Sequence, residues 1–127
     1  MNRLRIKFPA DFAIAPMSFV LPEEYEQFQA DRELPENNKS LYILKPVSAS
    51  CGRGIKIVDS KQAVASDLKG VLASRYIMNP HLINGLKYDL RVYVLVTSFC
   101  PLKVYLYNDG LVRFATEPYN NDPKSIN

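Results

Sequence analysis

"KPVSASCGRGIKIV", residues 45–58, decides the fold that the sequence predicts, because it places a lysine ahead of a glycine-containing turn. In a P-loop the glycines come first, the lysine follows them and a helix begins at once. Here Lys45 lies in the short apolar run "LYILKPV", which Pro46 closes, and the alternating segment "GIKIVDS" follows the glycines. This order predicts a strand, a turn and a second strand, so we interpret the stretch as a hairpin flap.

The glycine turn of this hairpin is suited to phosphate. Gly52 and Gly54 have no Cβ, so backbone N–H groups there can approach phosphate oxygens closely. Lys45 and Arg53 add two cations. A glycine-containing hairpin with a solvated lysine and arginine explains the same residues, and the local sequence leaves both interpretations open.

Composition limits the classes of protein. A chain of 127 residues is one ordinary domain or a piece of a larger one. Apolar residues make up 47% and charged residues 23%, as in globular proteins. No stretch approaches the ~20 apolar residues of a membrane span, and the basic N-terminus lacks the apolar core of a signal peptide. Two cysteines fit a reducing compartment, and the net charge of +3 fits an anionic ligand or partner.

The segment "KYDLR", residues 87–91, is a second charged motif. Alternation along a strand places Lys87, Asp89 and Arg91 on one face. Three charged side chains are costly against an apolar layer, so this face is expected to line a polar cleft. The cations there suit phosphate or carboxylate, and the aspartate can accept from a ribose hydroxyl. A solvent-facing ladder of ion pairs stays open as the alternative.

Arg113, in "GLVRF", is a cation among apolar neighbours on a strand expected to lie beside "KYDLR". An arginine at the rim of the sheet, with no role in binding, explains this residue equally well. The surrounding stretch "LKVYLYNDGLVRFAT" predicts a hairpin, because Asp109 and Gly110 can adopt the positive φ values of a two-residue turn.

The first forty residues predict mixed structure. "PADFAIAPMSFVLP" predicts an extended connection containing a short strand, Ser18–Leu21. "EEYEQFQADREL" predicts a helix with Glu23 and Glu24 in its first turn, where carboxylates favour the positive end of the dipole. Tyr25 and Phe28 are expected to share its buried stripe.

The remaining segments predict mostly sheet. "KQAVASDL" is a modest helix candidate, whereas "GVLASRYI" and "KYDLRVYVLVTS" predict strands. Predicted helix is scarce after residue 70, so the second half is expected to be mainly antiparallel. The strand after the glycine turn is expected to be half-buried, with two alternating faces: Ile55 and Ile57 against Lys56 and Val58.

Taken together and in order, "LYILKPVSASCGRGIKI" and "LASRYIMNPHLINGLKYDLRVYVLVTSFCPLKVYLYNDGLVRFATEPY" closely resemble the tubulin tyrosine ligase-like family, in particular its polyglutamylating members. The resemblance covers roughly residues 41–119. It implies an α+β fold: a fragment of an ATP-grasp (glutathione synthetase-like) domain, mostly antiparallel sheet with few helices. It divides the chain into a connection and helix (1–40), a central subdomain with the glycine flap (41–84) and the incomplete start of the C-terminal subdomain (85–127).

The resemblance also implies site residues. Arg91 and Arg113 match catalytic arginines near the γ-phosphate. Ser74 stands where many members carry glutamine. The residues that match ATP-binding positions come from the flap, the strand linking the subdomains and the second charged motif: Lys45, Cys51, Gly52, Arg53, Gly54, Ile55, Ser74, Arg75, Tyr76, Ile77, Lys87 and Asp89.

The activity implied by the resemblance is ATP-dependent ligation. A carboxylate becomes an acyl phosphate, and the amine of free glutamate attacks it, extending the acidic C-terminal tails of tubulin. Fixed cations suit this chemistry better than a nucleophilic side chain. The implied setting is the cytoplasm and cytoskeleton, including the cilium or basal body, with no nucleic acid or membrane as partner.

Mg²⁺ is implied as a second cofactor, with its ligands outside this chain. The family's Glu-x-Asn pair is absent, and Asp109, Glu117 and Asp122 lack its spacing. We therefore expect the chain alone to have no ligase activity. A non-catalytic module that binds ATP or tubulin tails stays open, as does glycine as the added residue. An RNA-binding sheet with exposed tyrosines is a third, weaker alternative.

Overall fold

The computed structural model describes residues 2–49 and 52–120. They form two compact units, of which the first runs to Met78 and the second spans Asn79–Asn120. The strands pair antiparallel throughout, which confirms the predicted α+β class with mostly antiparallel sheet. The elements in chain order are α1 (Asn2–Lys7), α2 (Pro9–Phe12), β1 (Ser18–Leu21), α3 (Tyr25–Glu33), a 3₁₀ turn (Pro35–Asn37), β2 (Leu41–Pro46), β3 (Lys56–Asp59), β4 (Val71–Arg75), β5 (Leu82–Ile83), β6 (Leu86–Phe99) and β7 (Leu102–Pro118).

The first unit contains a four-stranded sheet in the order β1-β4-β2-β3. The predicted strand Ser18–Leu21 is confirmed as β1, and it pairs with β4 from Ser18↔Ser74 to Leu21↔Val71. The first forty residues therefore supply an edge strand to the same sheet that carries the glycine hairpin.

One face of this sheet, the inner face, packs against α3. Phe28 of α3 is fully buried, and its ring lies 5.7 Å from Phe19 and 5.4 Å from Tyr42, measured between ring centroids. Tyr25 also contacts Phe28, with centroids 6.5 Å apart, which confirms the predicted apolar stripe of the helix. Full burial of an aromatic side chain of this size stabilises the fold by about 1.5–3 kcal/mol.

The N-terminal region differs from its prediction in two places. Pro9–Phe12 forms a short helix where an extended connection was expected, because proline is compatible with the first helical turn. Helix α3 begins at Tyr25 rather than at Glu23. The carboxylate of Glu24 instead accepts a hydrogen bond from the N–H of Val20 at 2.8 Å, which ties the start of α3 to β1.

The predicted helix "KQAVASDL", residues 61–68, is wrong: the segment forms turns and irregular backbone. The carboxylate of Asp59 accepts hydrogen bonds from the N–H groups of Lys61 and Gln62, at 2.7 and 2.8 Å, and so competes with helical bonding. Side chains of α3 bind carbonyls of the same segment, with Tyr25 donating to Val64 and Arg32 to Gln62. Tertiary bonds thus replace the intrahelical ones.

The second unit is a sheet in the order β5-β6-β7, dominated by two long strands. The predicted hairpin at Asp109 and Gly110 is wrong, because both residues lie inside β7 and the chain reverses at Cys100 and Pro101. The Asp-Gly pair belongs to a bulge: β6 advances from Val92 to Val94 while β7 shifts from Gly110 to Leu106. Glycine and a short polar side chain suit a bulge as well as a turn.

Candidate functional site

The glycine hairpin is confirmed as strand, turn and strand, since β2 and β3 pair antiparallel from Leu41↔Asp59 to Leu44↔Lys56. Gly52 and Gly54 have left-handed backbone, with φ of +76° and +72°, which any side chain would strain. Arg53 and Ile55 are exposed in the same turn. Cys51 was also predicted to bind the nucleotide, but it lies outside the described residues.

Lys45 lies on the face of the first sheet opposite α3, here called the outer face. Cross-strand register aligns Lys45 with Leu72 and Val20, so the three side chains form one row on that face. A second row runs along the same face from β1 to β3: Ser18, Ser74, Ile43 and Ile57. An exposed ammonium beside half-exposed apolar side chains suits a ligand that has both an apolar ring and a phosphate.

Val58, not an isoleucine, is the buried residue of β3, at 5% exposure. The predicted alternation along this strand is present: Ile57 is half-buried on the outer face, and Val58 enters the core. Lys56 shares the inner side with Val58 and remains exposed at the edge of the sheet. The hairpin therefore presents its two lysines, Lys45 and Lys56, to opposite faces.

The end of β4 carries the four residues predicted to contact adenine, Ser74–Ile77. The Ser74 hydroxyl lies 2.8 Å from that of Ser18 on β1. The N–H of Arg75 donates to the carbonyl of Met17 at 2.9 Å, and that of Tyr76 donates to the carbonyl of Leu41 at 2.8 Å. Ile77 is 57% exposed.

The side chain of Arg75 lies on the inner face, away from the row of Lys45. Its Nε donates to Oδ2 of Asp31 at 2.9 Å, and its Nη2 pairs with Oδ1 of the same carboxylate. The Asp31 carboxylate raises the pKa of the Arg75 guanidinium through these bonds. A nucleotide contact by Arg75 therefore stays a prediction for its backbone, whereas its side chain binds α3.

Tyr42 completes this inner cluster, which the sequence did not reveal. Its hydroxyl donates to Oδ2 of Asp31 at 2.8 Å. Burial raises the pKa of the Tyr42 phenol well above its usual range, and the bond to Asp31 raises it further. An aspartate in a polar helix segment is ordinarily assigned to solvent, so no sequence signal pointed to Asp31.

The structure places Lys87, Asp89 and Arg91 of the second charged motif on β6 and Arg113 on β7. Asp89 and Arg113 are directly paired across the strands. Arg113 donates to both carboxylate oxygens, from Nε and from Nη2, at 2.8 Å each. Arg113 lowers the pKa of Asp89, and the charge of Arg91 adds to the effect. Alternation along β6 places Lys87 on this face too, and its Nζ lies 5.8 Å from the ring centroid of Tyr119.

The ion pair is solvent-exposed, with 56% of the Asp89 side chain and 59% of the Arg113 side chain accessible. An exposed ladder of charges is thus what the second unit shows. Lys87, Arg91 and Arg113 supply three cations around the Asp89 carboxylate, and guanidinium groups bind phosphate oxygens in bidentate geometry. The opposite face of β6 is aromatic, where Tyr88 packs on Phe114 with ring centroids 5.9 Å apart. His81 lies there too, its Nδ1 3.0 Å from the Tyr88 hydroxyl.

A cavity of about 370 Å³ lies on the inner side of the hairpin, opposite Lys45. It is not the predicted nucleotide face, although it shares Gly54 with the turn. Its lining is mostly apolar: Leu44, Pro46, Gly54, Lys56, Val58, Gln62, Ala63, Val64, Ala65, Leu68 and Val71.

Residues 2–49 and 52–120 show neither a metal-binding cluster nor a membrane-spanning helix. No three His, Cys, Asp or Glu side chains of this part cluster in a way that could hold a metal ion. No helix of the same part is long and apolar enough to cross a membrane.

The lysine and the glycine hairpin of the first unit suit anionic ligands, and so do the arginines of β6 and β7 in the second unit. Comparison with known proteins gives the family. The model of the tubulin-tyrosine ligase family matches residues 1–127, so the chain belongs to that family. The resemblance in the sequence motifs is thereby confirmed.

Similar curated proteins are tubulin polyglutamylases. The chain is 43% identical over 115 residues to tubulin polyglutamylase TTLL5 of Homo sapiens, covering 91% of the chain and 9% of that protein. It is 42% identical over 121 residues to tubulin polyglutamylase TTLL7 of Mus musculus, covering 94% and 13%. A probable beta-tubulin polyglutamylase of Tetrahymena thermophila is 38% identical over 119 residues, covering 94% and 10%. The chain thus spans about a tenth of the length of these relatives.

Proposed function

We propose that this chain is the central part of the catalytic domain of an ATP-dependent carboxylate–amine ligase that adds glutamate to the acidic C-terminal tails of tubulin. Family membership and the names of its relatives support the activity. The observation that carries the proposal is geometric: Lys45 is exposed on the outer face of the strand that leads into the left-handed glycine turn.

The residues of the first unit fit a triphosphate. Gly52 and Gly54 are exposed and carry no Cβ that would screen backbone N–H groups, and Lys45 and Arg53 supply exposed cations on the same hairpin. The apolar side chains of the outer face, among them Ile43 and Leu72, suit the adenine ring. We assign Ser74, Arg75, Tyr76 and Ile77 to the adenine side, with Arg75 acting through its backbone.

The second unit would supply charge stabilisation. In the reaction, a carboxylate oxygen attacks the γ-phosphorus and ADP leaves. An amine then attacks the acyl carbon, releases phosphate and loses a proton. Negative charge builds on the transferred phosphoryl oxygens, so Arg91 and Arg113 would serve as fixed counter-charges. Lys87 and Asp89 are assigned to nucleotide binding.

The described residues fit ATP but not Mg²⁺. No acidic cluster among residues 2–49 and 52–120 offers the several oxygen ligands that a hard cation requires. We propose that the metal ligands lie in other parts of the full-length protein, and no role of this chain depends on them.

The subdomain division follows from the same proposal. Residues 1–40 would supply the connection and helix, 41–84 the central subdomain with the flap, and 85–127 the start of the C-terminal subdomain. The partners would be tubulin tails and free glutamate, in the cytoplasm and at the cytoskeleton, including cilia or basal bodies. The net charge of +3 fits an acidic tail as partner.

The test is Lys45→Ala and Arg91→Ala in the full-length protein, assayed for ATP-dependent incorporation of glutamate into tubulin. We expect each variant to lose activity by about a hundredfold or more, because each removes a fixed charge from the phosphoryl group. Lys56→Ala is the matched control, since Lys56 lies on the same hairpin but on the opposite side of the sheet.

Incorporation at the wild-type rate in Lys45→Ala or Arg91→Ala would contradict the assigned roles. An equal loss of activity in Lys56→Ala would show that substitutions in this hairpin act by disturbing its structure and not by removing a phosphate contact. Circular dichroism of all three variants should match that of the wild type.

A further inference from the structure

Asp31 is the buried centre of a polar cluster that the proposed reaction does not use, whereas the side chain of its partner Arg75 is 34% exposed. The side chain of Asp31, on α3, is 8% exposed. Both carboxylate oxygens accept hydrogen bonds, Oδ1 from Arg75 alone and Oδ2 from Arg75 and Tyr42. The backbone carbonyl of the same residue accepts from the side chain of Asn37, itself 2% exposed. The cluster lies on the inner face and not on the face of Lys45.

Burying this carboxylate is costly without donors. Removal of one partner from a buried ion pair leaves an uncompensated charge, whereas the intact pair contributes little net stability over apolar residues of similar shape. Stability alone is therefore a weak reason for placing Asp31 and Arg75 here. A polar cluster of this kind fixes geometry better than it adds free energy, since each donor has a single preferred direction.

What the cluster fixes is the end of β4. Arg75 is the last residue of that strand. Its backbone N–H is tied to Met17 and that of Tyr76 to Leu41. The hydrogen bonds from the Arg75 side chain to Asp31 of α3 are a third contact that holds this end of β4. The second unit begins a few residues further along the chain, at Asn79.

We propose that Asp31 is a positioning residue: by holding the Arg75 side chain on the inner face, it sets the path of the backbone at Tyr76 and Ile77. This inference rests on the proposed function, which assigns that backbone to adenine. Asp31 itself touches no substrate in this scheme and acts only through Arg75.

The test is Asp31→Asn in the full-length protein, with initial rates measured against ATP and, separately, against tubulin. Asparagine keeps the shape but removes the charge that orients the guanidinium. We expect the KM for ATP to rise about tenfold, equal to about 1.4 kcal/mol, with the KM for tubulin unchanged and kcat within about threefold. Glu33→Gln is the matched control, an exposed carboxylate two residues along α3, and should leave all three constants unchanged.

A merely structural role for Asp31 predicts a different pattern. Partial unfolding lowers the concentration of active enzyme, so kcat falls while the KM for ATP stays at its wild-type value. That pattern would overturn the inference. An unchanged KM for ATP with full activity would overturn it as well.

Two further variants test the route through Arg75. If Asp31 acts only through that side chain, the KM effects of Asp31→Asn and Arg75→Gln do not add in the double variant. Additive effects would overturn the inference. Tyr42→Phe removes a single donor to Asp31 and is expected to raise the KM for ATP about threefold. Should Asp31→Asn fail to fold, an unchanged KM for ATP in Tyr42→Phe would decide against positioning.

The outcomes separate this inference from the proposed function. If the wild-type protein shows no saturable dependence on ATP, the ligase proposal fails. If the wild type depends on ATP and only the expected changes in KM are absent, the positioning role fails alone.

Discussion

The pair Asp89–Arg113 shows what strand alternation can and cannot predict about single residues. Alternation placed Asp89 and Arg91 on one face, and the register brings Arg113 opposite Asp89. The charged face therefore follows from the sequence once the strands are known. The bidentate hydrogen bond between Arg113 and Asp89 does not follow from the sequence, because it depends on register shifts elsewhere between β6 and β7.

The pH dependence of this ion pair follows from the direction in which the pKa of Asp89 is shifted. Arg113 lowers the pKa of Asp89 below its ordinary value of 3.8. The stabilisation from the pair is thus present above the unfolded-state pKa and is lost as the pH falls through the lower folded-state pKa. In the 127-residue chain, we expect the carboxyl carbon of Asp89 to titrate below pH 3.8 by NMR. Arg113→Gln should raise that midpoint, because it removes the principal cause.

Lys103→Gln is the control for this titration, since Lys103 lies on β7 opposite Ser98 and away from the pair. It should leave the Asp89 midpoint unchanged. An Asp89 midpoint that is the same with and without Arg113 would mean that the two side chains do not pair in solution.

The interaction between Asp31 and Arg75, in contrast, could not be predicted from the sequence. They are 44 positions apart, and neither belongs to a motif. A buried charge is recognisable only from its partner, and the partner here depends on how α3 packs on the sheet. Burial of Phe28 on the same helix was predictable, because an apolar stripe depends on local spacing alone.

At the scale of elements, two predictions failed for the same physical reason. Asp109-Gly110 suits a tight turn and "KQAVASDL" suits a helix, but tertiary contacts favour other conformations. Asp59 and side chains of α3 take the hydrogen bonds that a helix at residues 61–68 would have used. The partner strand β6 holds Asp109-Gly110 in a bulge, where local propensity had indicated a reversal.

The bulge at Gly110 makes a prediction for β7. A Cβ built at this position would lie 2.7 Å from the carbonyl oxygen of Arg91, and a backbone atom cannot simply rotate away. We expect Gly110→Ala to destabilise the β6–β7 pair by about 1–3 kcal/mol, as overpacking does. Hydrogen exchange of the Arg91 and Val92 amides in the full-length protein measures the effect.

Asn108→Ala is the matched control, because Asn108 lies in the same bulge with an exposed side chain. Asn108→Ala should change the opening free energy of the Arg91 and Val92 amides by less than about 0.5 kcal/mol. Equal protection in Gly110→Ala and the wild type would show that the close approach to Arg91 is absent in solution.

For the whole molecule, the two units differ in how much they bury. The first has a core formed by one sheet face and α3. In the second, residues 79–120 contribute no helix, and both faces of β6 and β7 remain exposed. Exposed apolar residues occur on each face, among them Leu90, Val92, Phe114, Tyr93, Leu95 and Tyr105. A strand pair exposed on both faces is marginally stable in water, and an apolar surface of this kind is typical of an interface.

This contrast predicts different behaviour of the 127-residue chain and the full-length protein towards chymotrypsin. In the 127-residue chain, we expect cleavage first at exposed tyrosines of the second unit, such as Tyr105 and Tyr107, since strands without cover open readily. Phe28 and Tyr42, buried in the first unit, should resist and serve as internal controls. In the full-length protein, the bonds at Tyr105 and Tyr107 should be protected at least about tenfold, corresponding to about 1.4 kcal/mol. Equal cleavage rates there in both proteins would show that nothing covers the second unit and would remove this support for a larger catalytic domain.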